Sequence, residues 1–384
     1  MTATEGDPSK GEHSGARSRM IDVGARIGRG ITRGRVRLRA LLGLRREPRI
    51  VAFRGYGSRH RVRVKGRVEE RPRRPLTDEP GSRWRVVRES WQRVTAPPGP
   101  DAGLEVDVGG RCHRVGCSVH GYFDAWIEPA TPLEDDRPWH PVELRLEGDG
   151  EIRAATEILT PTPSARFAVI SDIDDTVVPT GATSFLRMLT TTFFTDARAR
   201  LPFPGVGAFY RALRNGTGGS EANPLVYVSR GPWSLYEVLA EMLRRHAVPI
   251  GPVLFLRKWG LSEEGLDVAR TRGHKFGEIT TVLSSFRDLS FILIGDSGQR
   301  DPEIYTEVVR EHPGRVAALY LRCIRPDAER RRQLERLGEE VARAGSELVA
   351  ADHTATMAEH AAARGFIAPD AVDRISARCR RSWR

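Results

Sequence analysis

The stretch Phe167-Ala168-Val169-Ile170-Ser171-Asp172-Ile173-Asp174-Asp175-Thr176 constrains this chain more than any other. Its first four residues read as a buried parallel strand, and the carboxylates Asp172 and Asp174 follow at the strand's carboxyl end. Open α/β sheets place their chemistry at that end. Carboxylates are too costly to leave unpaired in a dry crevice, so the pair implies a bound cation. Taken alone, the same residues also suit a polar turn before a helix, because Asp and Thr are good N-caps. The rest of the chain decides between the two.

After the stiff linker Thr160-Pro161-Thr162-Pro163, strand and helix patterns alternate. Residues 166–171, 225–229, 253–256, 291–295 and 316–321 are apolar strand candidates, with helical patterns such as Trp233 to Arg245 between them. The alternation predicts a doubly wound parallel sheet. Polar groups stand at several strand ends besides Asp172 and Asp174. Ser229 follows Leu225-Val226-Tyr227-Val228, and Lys275 sits in Gly273-His274-Lys275-Phe276 at an expected helix start. Asp296 and Asp301 lie in Gly295-Asp296-Ser297-Gly298-Gln299-Arg300-Asp301, after Phe291-Ile292-Leu293-Ile294. An acid pair, a hydroxyl, a lysine and a second acid pair are the groups that phosphoryl transfer uses to position and neutralise charge. Any one could be a cap or a surface charge. The ordered set is specific.

This constellation resembles the haloacid-dehalogenase (HAD) superfamily of aspartate-nucleophile phosphatases. Within it, the chain is similar to the actin-patch-type phosphatidate phosphatase family. The closer likeness rests on Tyr227-Val228-Ser229-Arg230-Gly231-Pro232-Trp233, on Leu256-Arg257-Lys258-Trp259-Gly260, and on the run from Ile294 to Tyr305. It covers about 167–324 and reaches more weakly into 115–123. Arg230-Gly231 departs from the small polar residues expected after the serine, which bears on the phosphate substituent accepted.

The resemblance implies roles for individual residues. Asp172 would attack phosphorus and form an aspartyl-phosphate, while Asp174 would act as general acid and then general base. Mg²⁺ would be held by Asp172, Asp296 and the Asp174 carbonyl, with Asp301 bracing or weakly ligating it. Ser229 and Lys275 would bind and neutralise the phosphoryl group, and Thr176 and Arg230 would contact substrate. The insertion after Thr176, with Ser184-Phe185-Leu186-Arg187-Met188-Leu189 and Thr192-Phe193-Phe194, would form a small apolar cap.

Upstream, between Ile50 and about Leu159, the pattern changes to period two, as in Arg61-Val62-Arg63-Val64-Lys65-Gly66-Arg67-Val68. Turn clusters such as Pro97-Pro98-Gly99-Pro100 separate such runs, predicting a small antiparallel β-sandwich-like domain with arginines facing outward. Cys112, His113, Cys117 and His120 match no common zinc-finger spacing. The expected organisation is a basic arm over 1–48, a β-rich domain over 49–160, a HAD-like catalytic domain over 164–326 and a helical, basic extension over 327–384.

The chain has 384 residues and a net charge of +11, mostly from arginine. Such an excess favours phosphate-bearing partners, or simply reflects arginine-rich coding. Between Met20 and Leu44, apolar residues recur among arginines in a pattern suited to an anionic membrane surface, although Gly24, Gly28, Gly30 and Gly34 weaken a helix there. No apolar run reaches the roughly 18–20 residues needed to cross a bilayer, and no signal-peptide core is seen. Four cysteines without a secretion signal suit a reducing compartment.

The expectation is thus a cytoplasmic, Mg²⁺-dependent phosphatase, peripheral to the inner face of the membrane and acting on phosphatidate or a similar lipid phosphate. No nucleic-acid partner is expected. The alternatives are a HAD phosphatase for a soluble or nucleic-acid-end phosphate, and a non-catalytic lipid-binding module.

Overall fold

A computed structural model describes residues 46–72, 103–118, 120–173, 203–257, 268–323 and 326–381. The described residues form two hydrogen-bonded sheets. The first contains β1 (Arg46–Gly57), β2 (Val62–Pro72), β3 (Gly103–Val108), β4 (Arg111–Gly116), β5 (Tyr122–Ile127), β6 (Trp139–Leu146) and β7 (Asp149–Leu159), in the order β4-β3-β6-β7-β1-β2-β5. Its neighbours pair antiparallel except β1 and β7, which run parallel through Gly55↔Ile158 and Tyr56↔Leu159. Buried and less buried residues alternate along β3 and β6, as the period-two sequence dictates for strands with one apolar face. The sheet curls so that its edge strands β4 and β5 approach, closing around Val62, Val64, Leu104, Val106 and Leu144.

The second sheet is all-parallel. It contains β8 (Phe167–Asp172), β9 (Leu225–Pro232), β10 (Val253–Arg257), β11 (Ser290–Asp296), β12 (Val316–Arg322) and β13 (Glu347–Ala351), in the order β10-β9-β8-β11-β12-β13. Every residue of β8 is buried, because helices or the other sheet cover both of its faces. The described helices are α1 (Val206–Asn215), α2 (Tyr236–Arg245), α3 (Val268–Ser285), α4 (Asp301–Glu311), α5 (Ala328–Arg343), α6 (Thr354–Ala363) and α7 (Asp370–Arg381). The chain leaves β8 for β9 and β10 on one side, then crosses to β11, β12 and β13 on the other. A strand-order reversal of this kind opens a crevice at the carboxyl ends.

The expected HAD-like doubly wound sheet preceded by a small antiparallel sandwich is not what forms. A sandwich needs two sheets facing each other. Here seven strands join in one mixed, nearly closed sheet whose other face covers the parallel sheet's layers. Phe53 of β1 lies in one core of the parallel unit with Trp233, Tyr236 and Phe255, and Tyr56 lies in the other with Phe286 and Phe291. Phe53 stacks on Tyr236 with ring centroids 4.3 Å apart. Burying each such ring contributes about 1.5–3 kcal/mol, so the junction is part of the core. Period-two patterning marks a strand's apolar face without revealing what covers the other one.

Two further readings change. The arginine-bearing face of β2 expected to point outward is covered at this junction: Arg67 is 8% exposed, its neighbour Lys65 5% exposed, and Arg63 is half-buried. The extension over 327–384, expected to be helical, does carry helices but also adds β13 to the parallel sheet and buries Met357, Ala358 and Ala361 of α6. The arm over 20–44 and the cap residues 184–194 lie outside the described residues. No described helix is long and apolar enough to cross a membrane.

Candidate active site

Asp172 ends β8, the strand at the reversal, and is fully buried. β9 runs along one side of it, in register Asp172↔Val228, so Ser229 stands on β9 one residue past the level of Asp172 and is fully buried too. β11 runs along the other side and ends at Asp296. Two acids at strand ends and a hydroxyl within the strand beside them therefore stand on three adjacent strands. The Ser229 hydroxyl oxygen accepts the Gly231 N–H at 3.1 Å, where the pairing of β9 with β10 shifts register. Arg230, between them, is half-buried.

Lys275 joins the set from α3. Its ammonium donates to Asp172 Oδ1 at 2.7 Å and to Asp301 Oδ1 at 2.6 Å, and it is 2% exposed. Burial alone would depress the lysine, but the Asp172 and Asp301 carboxylates outweigh it and hold the ammonium above its ordinary range. Lys275 stands in the interior of an 18-residue helix rather than at its start.

Asp301 opens α4, followed by Pro302 and by Glu303 in the first turn, a composition that favours a helix N-terminus. Both of its oxygens are engaged, since Oδ2 accepts the Asp296 N–H at 3.2 Å. Asp301 is thus a brace between Lys275 and the end of β11. Gly295 makes the approach possible: a Cβ there would lie 2.5 Å from Asp301 Oδ2 and 2.7 Å from Tyr305 Cε2. Tyr305 donates to the Ile294 carbonyl at 3.0 Å, and its ring centroid lies 5.4 Å from the Lys275 ammonium. Burial, with Asp301 and Asp172 nearby, pushes the Tyr305 hydroxyl well above its ordinary range, so it is neutral. Asp296 Oδ2 accepts the Gly298 N–H at 2.6 Å, which folds the loop back onto the strand end.

The structure thus links Asp172, Lys275, Asp301 and Asp296 directly and sets Ser229 on the adjoining strand. Asp174 and Thr176 lie outside the described residues. Among the described residues, no three His, Cys, Asp or Glu side chains converge as a metal cage, and Cys112 is exposed. The donor set at the strand ends is nevertheless all carboxylate oxygen, the chemistry that suits a hard cation.

Two supports escaped the sequence reading. Glu278, one turn after Lys275 on α3, meets Arg63 and Lys65 of β2. Arg330 of α5 reaches the Asp296–Asp301 loop. The spacing of Lys275 and Glu278 could have suggested the first, because residues three apart share a helix face. Nothing local marks Arg330.

Residues 167–323 match the family model described as the catalytic domain of phosphatidate phosphatase APP1. The chain is 28% identical over 213 residues to phosphatidate phosphatase APP1 of Saccharomyces cerevisiae, covering 54% of this chain and 35% of that protein. It is equally 28% identical over 219 residues to an uncharacterized protein of Schizosaccharomyces pombe, covering 56% and 35%. The matched region therefore spans about a third of the length of these curated relatives. Among solved structures, it resembles a carbohydrate acetylesterase of Xanthomonas citri at 12% identity, over 78% of this chain and 75% of that one, with a TM-score of 0.26. It resembles a β-glucuronidase of Bacteroides uniformis at 9% identity, over 72% and 36%, with a TM-score of 0.22. Overlaps that poor carry no statement about fold or activity. The match to the phosphatidate phosphatase APP1 catalytic-domain model, over residues 167–323, takes in Asp172, Ser229, Lys275, Asp296 and Asp301 alike.

Proposed function

We propose that this chain is a phosphatase that hydrolyses phosphatidate, or a closely similar lipid phosphate, through a covalent aspartyl-phosphate. The observation that carries the reading is the buried Asp172–Lys275–Asp301 bridge, with hydrogen bonds of 2.7 and 2.6 Å, at the head of the central strand within the matched segment.

Asp172 is the nucleophile. Its carboxylate oxygen attacks phosphorus, the P–O bond to the diacylglycerol oxygen breaks, and Asp174 gives that oxygen a proton. In the second step Asp174 takes a proton from water, whose oxygen attacks phosphorus and releases inorganic phosphate with Asp172 regenerated. Splitting the hydrolysis this way replaces one difficult step by two easier ones. Lys275 keeps a positive charge against the nucleophile and against the oxygens that gain charge in transfer. Ser229, on the adjacent strand β9, donates a hydrogen bond to a phosphoryl oxygen. Arg230 and Thr176 contact the substrate.

The carboxylates of Asp172 and Asp296 would hold Mg²⁺, with the Asp174 carbonyl completing the protein's share. The ion would neutralise phosphate charge and orient the reacting phosphoryl group. Asp301, whose oxygens are committed to Lys275 and to the Asp296 N–H, supports those ligands. The basic segment over 20–44 is proposed to rest on an anionic bilayer that presents the lipid.

Phosphate release with Mg²⁺ is measured from three esters: phosphatidate in mixed micelles, p-nitrophenyl phosphate and a 3′-phosphorylated oligonucleotide. The proposal expects phosphatidate to be the best substrate and excess chelator to stop the reaction. Preference for the oligonucleotide would overturn the lipid assignment. Silence toward all three would overturn the phosphatase.

A further inference from the structure

Arg330 lies seven residues beyond the end of the matched segment, in the first turn of α5. Its guanidinium nonetheless reaches back across the loop between Asp296 and Asp301. Nε donates to the Ser297 carbonyl at 2.6 Å and Nη2 to the Gln299 carbonyl at 2.6 Å. Nη1 donates to Glu303 Oε1 at 2.5 Å and to Gln333 Oε1 at 2.6 Å, and Gln333 Nε2 returns a bond to Glu303 at 2.8 Å. The helix turn that carries Arg330 is itself fixed, because Asp327 Oδ1 accepts the Arg330 N–H at 2.7 Å.

One side chain therefore ties down three points around the acidic loop: Ser297, directly after Asp296; Gln299, at its crest; and Glu303, directly inside α4 from Asp301. A guanidinium offers five donors in a rigid plane, and a lysine offers one mobile charge. Carbonyl acceptors carry no formal charge, so two of the three contacts depend on the fork's shape rather than on its charge. The loop's own bonds, Asp296 N–H to Asp301 Oδ2 at 3.2 Å and Gly298 N–H to Asp296 Oδ2 at 2.6 Å, hold the carboxylates only while the loop backbone stays put.

We infer that Arg330 is a positioning residue for the reaction: its guanidinium fixes the Ser297–Gln299 backbone so that Asp296 and Asp301 face the nucleophile and its cation. The functional half of this inference rests on the phosphatase reading above; the structural half does not. It also means that residues 167–323 need α5 to complete the site.

Full-length wild type, Arg330→Ala and Arg330→Lys are compared in two measurements. In hydrogen exchange, peptides covering 294–305 should lose protection by about tenfold or more in both variants, while β12 and α6 keep wild-type rates. In p-nitrophenyl phosphate turnover with titrated Mg²⁺, kcat should fall, or the Mg²⁺ requirement rise, by about 10–100-fold with KM unchanged. Arg330→Lys should fail to rescue, and it carries both measurements should Arg330→Ala not fold. Wild-type exchange in the loop overturns the inference, and so does wild-type turnover and Mg²⁺ dependence in Arg330→Lys. A wild-type protein that turns over no ester defeats the phosphatase reading instead, and loop exchange then decides the clamp by itself.

Discussion

Arg63 on β2 and Glu278 on α3 share two hydrogen bonds, of 2.8 and 3.2 Å, across the junction between the sheets. Arg63 also grips Asp124 of β5 at 2.8 and 2.9 Å and donates to the Tyr56 hydroxyl at 3.0 Å. Lys65 stands beside them, 3.4 Å from Glu278 and 5.6 Å from the Trp233 ring centroid. Burial depresses the Lys65 ammonium, and Glu278 recovers only part of that. Glu278 lies one helical turn past Lys275, so the mixed sheet grips the helix that delivers the site lysine.

Glu278→Gln leaves Arg63 and Lys65 buried with Asp124 as their remaining carboxylate in this cluster. Removing one partner of a buried charge network costs roughly 3–5 kcal/mol, and urea unfolding should register a loss of that size. A double-mutant cycle with Arg63→Met should show coupling well above that of independent sites. Additive losses would mean that the two residues stabilise separate parts of the molecule.

Lys275→Met removes the ammonium between Asp172 and Asp301 while keeping most of the volume. The two carboxylates then lie buried without their shared counter-ion, and stability should fall by about 3–5 kcal/mol. Because Asp172 and Asp301 hold the Lys275 ammonium above its ordinary range, its stabilising share is complete below the ordinary lysine pKa. That share is lost only as pH rises through the raised value. Wild-type stability should therefore show no lysine-linked decline between pH 7 and 9, and Lys275→Met should be destabilised equally at both. A deficit confined to one end of that window would contradict the buried bridge.

The acidic side has a different cause. Burial, assisted by Arg67, lowers the His120 imidazole to about 4, and burial also lowers His140 and His246. A depressed pKa gives stability that is present above the unfolded value, near 6.5, and is lost as pH falls toward the folded value. Unfolding free energy should drop between pH 6.5 and 4, and His120→Gln should flatten part of that drop. An identical pH profile for wild type and His120→Gln would remove His120 from this account.

Gly295→Ala forces a methyl group to within 2.5 Å of Asp301 Oδ2 and 2.7 Å of the Tyr305 ring. Overpacking of this kind costs about 1–3 kcal/mol, and it displaces the Lys275 brace. Turnover should fall further than that stability loss alone explains at temperatures where the variant remains folded. Full turnover in the folded variant would show that Asp301 need not hold its position.

The positions of the candidate site's acids were legible because they stand at the ends of apolar strands. Phe167–Ile170 and Phe291–Ile294 are continuous apolar runs of the kind doubly covered strands use, and Asp172 and Asp296 each stand two positions beyond them, at the strand ends. The relation between the sheets was not legible. Arg63, Lys65 and Arg67 alternate with valine and glycine as they would on a solvated strand, and partners distant in sequence, among them Asp124, Trp233 and Glu278, turn that face into a junction. β13 escaped for a related reason: Glu347–Ala351 is short, partly exposed and set among helical residues, and its pairing with β12 makes it a strand. Arg330 sits in an arginine-rich stretch where no single arginine stands out, so only tertiary contact reveals its role.

The most direct test of the central claim compares Asp172→Asn with wild type in Mg²⁺-dependent phosphate release from phosphatidate micelles. The substitution keeps the volume and removes the proposed nucleophile, while circular dichroism checks that the fold survives. The account predicts a fall of at least about 10²-fold, because the whole covalent route is lost. A folded Asp172→Asn that releases phosphate within tenfold of the wild-type rate would contradict it.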